Sequence, residues 1–289
     1  MTLLDGCDVR LGGQGWSEPD WTGVFYPRGL KSGERLAAYA AALDFVEIDS
    51  TFYAIPGPDI VRGWHTRTPA SFRFAAKLPQ AITHDPDPAT GYPRQPLAGD
   101  GWPEHLDQFA ETIRLLEEKL LAVVIQLPPQ WHWRPERLAV LERFLAALPR
   151  DLRWAVEFRH RGWLNDAVFE LLEGEQVAFV MQDLYYMPRH VAVTTPELAY
   201  VRLQGKRKDI VHMDAVQIER DTALDFWADV VRTLATEGVR RVIVAANNHY
   251  QGYSPGTVAA LQRRLGLPVG APPAQQSAPS PHQEQLPLA

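Results

Sequence analysis

Cysteine is almost absent. Cys7 is the single one in 289 residues, which excludes an intrachain disulfide and any zinc or iron–sulfur site built on cysteines. No apolar run approaches the length of a bilayer span, and Met1 to Gly6 lack the basic and long apolar regions of a secretory leader. A cytoplasmic protein with no membrane partner is expected. No HExxH pair or comparable ligand spacing is present, so no metal is expected, although His84, His160 and His249 fall near carboxylates. Gly12-Gly13-Gln14-Gly15 lacks the GxGxxG spacing of a dinucleotide loop, and no cofactor is expected. Ser50 and Ser71 have no His/Asp partners in a recognisable motif, which leaves a serine hydrolase little support. Positive charge is not in excess either. A formal net charge of −6 and a pI near 5.9 argue against a generic nucleic-acid coat, while allowing a local basic patch.

What is present is a rhythm. Apolar runs end in polar or charged residues at Val9-Arg10-Leu11-Gly12, Val46-Glu47-Ile48-Asp49, Phe74-Ala75-Ala76-Lys77, Ile125-Gln126-Leu127 and Val156-Glu157-Phe158-Arg159. Val180-Met181-Gln182-Asp183, Val201-Arg202-Leu203-Gln204 and Ala245-Ala246-Asn247-Asn248 complete the series. Most are followed by a helix-like stretch, such as the one opening at Pro135 with leucines at 138, 141, 145 and 148, a helical period. Alternating strands and helices predict parallel βα units. Eight of them predict an α/β TIM (β/α)8 barrel whose active face lies at the strands' C-terminal ends.

Within that frame the first strand is predicted over 8–12, and Pro58 and Ser254-Pro255 mark helix starts. The stretch 184–198 is too short and too broken by Pro188 and Pro196 for a full helix, so the sixth unit is degenerate. Residues 84–105, after the third strand, hold prolines 86, 88, 93, 96 and 103 and glycines 91, 99 and 101. An irregular segment of this length on the active face is read as a lid. One barrel domain is expected over residues 1–267, followed by a disordered Pro/Gln/Ser/Ala-rich tail, 268–289, with too little apolar content to offset its ordering entropy.

Residues two apart on a strand share a side. Sending the purely apolar partners toward the helices turns Glu47 and Asp49, Lys77, Glu157 and Arg159, Arg202 and Gln204, and Asn247 into the barrel, with Asp183 a further acidic candidate. Buried ions cost several kcal/mol unless paired. A cluster of this size therefore predicts either a salt-bridge network closing the barrel top or a solvent-filled site. As a site, Lys77, Arg159 and Arg202 with the amides of Gln126 and Asn247 suit an anion such as phosphate or carboxylate. Glu47 and Glu157, with Asp183, suit acid–base work. His84 and the loop aromatics Trp16, Tyr26 and Tyr53 join the predicted substrate contacts, since aromatic faces stack on sugars and bases and also simply pack loops. A second anion cue is the basic run Gly205-Lys206-Arg207-Lys208 with Gly252-Tyr253-Ser254 before the last helix, where barrels bind phosphate at a helix start.

These residues also resemble a family. Gly15-Trp16 with Trp21 to Pro27, Val46 to Tyr53, Phe72-Arg73-Phe74, Lys77 and Ile82-Thr83-His84 are similar to blocks of the DUF72 (YecE-like) proteins. So are Gln126 to Pro129, Val156 to His160, Tyr200 to Leu203 and Asn247-Asn248-His249. The blocks span about 12–265, and the resemblance implies a TIM barrel with a polar pocket at its C-terminal face. This chain departs from the family pattern with Gln204-Gly205 where His-Gly is usual, and with Asp49 where Asn is common. A likeness to nucleases among TIM barrels is fold-level analogy and sets no function.

Three functions follow as expectations. The first is an enzyme acting on a small anionic ligand (phosphate-bearing, a nucleotide or a nucleic-acid fragment) as a metal-independent hydrolase or lyase. The second is a glycosidase-like hydrolase using Glu47 and Glu157, which needs carboxyls roughly 5–9.5 Å apart across a groove. The third is a non-catalytic binder of single-stranded nucleic acid or nucleotides, recognisable by salt-dependent binding without turnover. No feature specifies an oligomeric state.

Overall fold

In the computed structural model, which describes residues 3–206 and 210–276, eight parallel strands close on themselves. They are β1 (Cys7–Gln14), β2 (Phe45–Ile48), β3 (Arg73–Lys77), β4 (Leu120–Gln126), β5 (Trp154–Glu157), β6 (Ala178–Asp183), β7 (Ala199–Leu203) and β8 (Arg241–Ala246). Each pairs with the next in chain order, and β8 returns to pair with β1. A two-residue strand, Leu3–Leu4, adds antiparallel to β1. Helices cover the outside: α1 (Arg35–Ala42), α2 (Pro58–Thr66), α3 (Trp102–Ile113), α4 (Pro135–Ala146), α5 (Asp166–Gly174), α6 (Asp221–Thr236), the short α7 (Asn248–Gln251) and α8 (Ser254–Arg264). The chain folds as a TIM barrel, and no helix among the described residues is long and apolar enough to cross a membrane.

The predicted side alternation holds on β2, β3, β5, β7 and β8. Phe45, Ala75, Val124, Ala155, Val180, Tyr200, Ile243 and Ala245 pack together inside the barrel. Their neighbours Val46, Ile48, Phe74, Ala76, Val156, Val201 and Val244 join the larger core under the helices. Small inner residues leave room for the polar side chains that continue each inner row toward the strand ends. Prolines occupy the first turns of α2, α4 and α8, where a missing N–H costs nothing.

Four details differ from the sequence reading or refine it. β1 runs on to Gln14, two residues further than predicted, and so carries an amide to the barrel mouth. Ser254 is the first residue of α8 rather than its cap; its N–H donates to Asn248 Oδ1 at 2.9 Å. Residues 184–198 contain no helix, as expected of a degenerate sixth unit. Within the expected tail, residues 268–276 are described, and two of them meet the first loop and the first helix. Ala274 donates its N–H to Phe25 O at 2.9 Å, and Gly270 lies so close to α1 that a Cβ would sit 1.9 Å from Ala42 O. The rest of the expected tail, 277–289, lies outside the described residues.

Candidate functional site

Arg202, near the end of β7, is the hub of the barrel's C-terminal end. Its Nη2 donates to Glu47 Oε1 at 2.6 Å, and its Nη1 donates to Glu157 Oε2 and, at 3.1 Å, to Gln126 Oε1. The Gln204 amide oxygen, in the orientation its neighbours require, accepts from Arg202 Nη1 at 3.0 Å and from Nε at 3.1 Å. Tyr200 OH donates to the other Glu47 oxygen at 2.7 Å. Both carboxylates are 0% exposed and Arg202 is 1% exposed. Burial pushes Glu47 up, against the pull of Arg202. Burial acts the same way on Glu157, but Arg159 and Arg202 together overcome it and hold that carboxyl down at about 2.

Around this hub the remaining charges face a cavity of about 640 Å³, lined from β1, β3, β4, β7 and the loops that follow the strands, among them those after β2, β5, β6 and β8. Arg159 donates through Nε to Glu157 Oε1 at 2.6 Å. Its two terminal amino groups make no hydrogen bond to any described residue, and the side chain is 20% exposed. Lys77 Nζ sits 3.3 Å from Asp49 Oδ1 and 4.1 Å from the centre of the Phe52 ring. Burial drives the Lys77 ammonium below its ordinary pKa, with Asp49 opposing. His84 is pushed down to about 4 by burial and by the positive Lys77 and Arg159, so its ring is neutral at pH 7. Thr83 Oγ1 lies 2.9 Å from His84 Nδ1.

The mouth is shaped by backbone as well as side chains. Gly205 follows Gln204 at φ +67°, and a Cβ there would meet His249 O at 2.0 Å, so this crossing of two loops admits only glycine. Tyr53, 68% exposed, and the exposed Tyr185 and Tyr186 stand at the rim, with Lys206 Nζ 5.9 Å from the Tyr185 ring centre. Arg207 and Lys208 of the predicted basic run lie outside the described residues.

Set against the predicted residues, Lys77, Arg159, Gln126, Asn247, His84 and Tyr53 line the cavity. Asn247 donates to Gln14 Oε1 at 2.8 Å and caps α7 by accepting from His249 N at 2.9 Å. Trp16 lies beside it, in an adjoining hollow of about 270 Å³. Arg202 also borders the cavity, with Nε, Nη1 and Nη2 each already donating to a buried acceptor. Glu47 and Glu157 do not line the cavity; sharing one arginine and fully buried, they are ill placed as an acid–base pair. Asp183 points the other way, into the helix layer, where Oδ2 accepts from Trp227 Nε1 at 3.0 Å and Tyr250 OH at 2.8 Å. Tyr26 is buried among Trp21, Phe25 and Tyr39, donating to Trp16 O at 2.6 Å. It packs the first loop and touches no cavity.

Of the predicted lid, His84 alone lines the cavity. The rest is held by the Arg94–Asp85 ion pair at 2.7 Å, the bond from Asp87 N to Tyr92 O at 2.8 Å and the buried Leu97, whose N–H donates to Ile82 O at 3.0 Å, and its last residues begin α3. Of the second anion cue, Gly205 and Lys206 line the cavity, and at the start of α8 the Ser254 N–H already donates to Asn248 Oδ1. Gln14, Glu18, Gln80 and Asn248 line the cavity without having been singled out. Only Gln14 had a readable signal, since it continues the inner row of β1 by two residues. Among the described residues, the His/carboxylate group with metal-ligand spacing is His65, Glu117 and Glu118, none of which lines the cavity.

Comparison with known proteins agrees with this architecture. The UPF0759 protein YunF of Bacillus subtilis is 30% identical over 164 residues, 56% of this chain, and the matched stretch spans about half of that relative's length, 54%. A crystal structure of a DUF72 family protein from Enterococcus faecalis superposes with a TM-score of 0.73 at 24% identity, covering 90% of this chain and 96% of that one. Another DUF72 structure, from Thermotoga maritima, gives a TM-score of 0.70 at 27% identity, with 88% and 97% covered. The family model described as "Protein of unknown function DUF72" matches residues 10–283, and the chain belongs to the DUF72 family.

Proposed function

We propose that this protein is a cytoplasmic enzyme acting on a small anionic ligand, phosphate-bearing and of nucleotide size or below, bound at the C-terminal face of the barrel. The observation that carries the reading is Arg159. Its Nε is anchored on a buried carboxylate, both terminal amino groups are free of hydrogen bonds to described residues, and the residue borders a cavity that Lys77 also lines. An arginine fixed at one end and open at the other is preorganised for bidentate contact with an oxyanion. The titratable groups a ligand there can reach include Asp49, Lys77 and His84. Acid–base chemistry falls to them rather than to Glu47 and Glu157, whose burial on a shared arginine removes the main support for a glycosidase-like pair.

Titration calorimetry with inorganic phosphate and a nucleoside monophosphate tests the reading. Arg159→Met and Lys77→Met should each weaken binding by about tenfold or more, as expected for losing a charge-assisted hydrogen bond. Full affinity in both variants would refute it. Nucleic-acid binding without turnover is the second reading, favoured by the rim tyrosines Tyr53, Tyr185 and Tyr186. It requires an affinity for single strands that falls steeply with salt.

A further inference from the structure

The cavity is not uniformly basic, and its asymmetry bears on what binds there. The residues Gln14, Glu18, Asp49 and Asn248 border both the main cavity and the adjoining hollow beside Trp16, whereas Arg159 and Lys77 border the main cavity and not that hollow. Asp49 is ion-paired with Lys77, yet its carboxylate accepts no hydrogen bond from any described residue, and Oδ1 is shielded from solvent. Glu18 has only long contacts, 3.4 Å from Asp20 N and 3.4 Å from Asn248 Nδ2. Asn248 Oδ1 is already taken by Ser254 N. This flank therefore offers acceptors with unused capacity, on two carboxylates that repel a second anion.

A ligand whose anionic end meets Arg159 and Lys77 must present hydrogen-bond donors to the other flank. The indole of Trp16 stands beside those acceptors, held edge-on against Trp64 with ring centroids 5.8 Å apart. A fixed aromatic face next to carboxylate acceptors matches a body that is apolar on its C–H face and rich in hydroxyls at its edge. We infer that the ligand is a phosphorylated sugar, its phosphate on Arg159 and Lys77 and its hydroxyls on Asp49 and Glu18 beside Trp16. This inference rests on the anion-binding reading of the same cavity and adds the identity of the ligand's other end.

The test is calorimetric, on the full chain, with four probes: inorganic phosphate, glucose 6-phosphate, glucose and phosphoethanolamine. Glucose 6-phosphate should bind about tenfold or more tighter than phosphate, as two or three added hydrogen bonds would give. Glucose alone should bind weakest. Asp49→Asn should strengthen inorganic phosphate by removing a nearby negative charge, while the preference for glucose 6-phosphate shrinks. Glu18→Gln and Trp16→Ala should shrink that preference by about threefold or more each. Equal affinity for phosphate and glucose 6-phosphate overturns the inference, as does a preference untouched by all three substitutions. A preference for phosphoethanolamine overturns it too, because the acidic flank would then read an ammonium. Failure of every phosphate-bearing probe in the unsubstituted protein brings down the anion site itself, whereas phosphate binding without sugar selectivity brings down only the sugar.

Discussion

The barrel carries an ionic cluster at each end, and the two are built to different purposes. At the N-terminal end Arg10, 2% exposed, lies between Asp8 at 2.7 Å and Asp44 at 2.9 Å, and Arg241 closes on the second Asp8 oxygen at 2.9 Å. Arg10 also donates to Ser71 O at 3.2 Å, stitching the starts of successive strands together. At the C-terminal end Arg202 does the same work for Glu47 and Glu157, but there Arg159 and Lys77 line a cavity beside the hub. Charges pair at both ends. Ion pairing by itself therefore does not mark a site; donors left over beside a hollow do.

The sharpest way to break the comparison is to remove each hub. Arg202→Met leaves Glu47 buried without its ion-pair partner and Glu157 with Arg159 alone, and removing one partner of a buried pair costs about 3–5 kcal/mol. Arg10→Met should cost less, about 1–3 kcal/mol, since Asp8 keeps Arg241 and Asp44 is partly open to water. Urea denaturation of the two variants measures the difference. Neutralising both acids alongside, as Glu47→Gln and Glu157→Gln with Arg202→Met, should recover part of the loss. Equal destabilisation by the two single variants would erase the distinction between hub and plug.

Much of that distinction was legible in the sequence, because the period of two on a strand points alternate residues inward wherever apolar and polar positions alternate. Val46-Glu47-Ile48 and Val156-Glu157-Phe158 do so cleanly, and both glutamates face inward. Val180-Met181-Gln182-Asp183 does not: two adjacent apolar residues leave the side undecided, and the structure turns Val180 inward and Asp183 outward. Direction was readable, but the hydrogen-bond ledger was not. Nothing local in Arg202 says that Glu47, Glu157 and Gln126 will consume its donors, because those partners come from other strands. Tyr26 and Glu18 sit in a loop and Asn248 in a single helical turn, too short for a period to read, so only tertiary contacts decide between packing and cavity. The extension past Leu267 likewise depends on Ala42 and Phe25, far away in the chain.

Acid titration separates the hub from its surroundings. Glu157, held at about 2, has a folded pKa depressed below the ordinary glutamate value near 4.3. Its contribution is therefore fully present above about pH 4.3 and is lost as pH falls toward 2. The shift corresponds to on the order of 3 kcal/mol. In Glu157→Gln the fall of stability between about pH 4.3 and 2 should flatten by close to one proton. An unchanged slope, measured by denaturation across that range, would show that Arg159 and Arg202 do not hold this carboxylate charged.

The gentlest probe leaves the chain unaltered and reads His84 by NMR. In the free protein its ring should titrate at about 4, because burial and the positive Lys77 and Arg159 disfavour the imidazolium. An anion seated between those two cations cancels part of their field, so the His84 pKa should rise by roughly one unit when the site is filled. Sulfate suits the measurement, since its charge is constant from pH 4 upward. Linkage sets the sign of the reciprocal effect: if the bound anion favours protonated His84, sulfate must bind more tightly as pH falls through the histidine's titration. A His84 curve that does not move in saturating sulfate would place the anion away from Lys77 and Arg159, and the C-terminal cluster would then be a plug like the one at the other end.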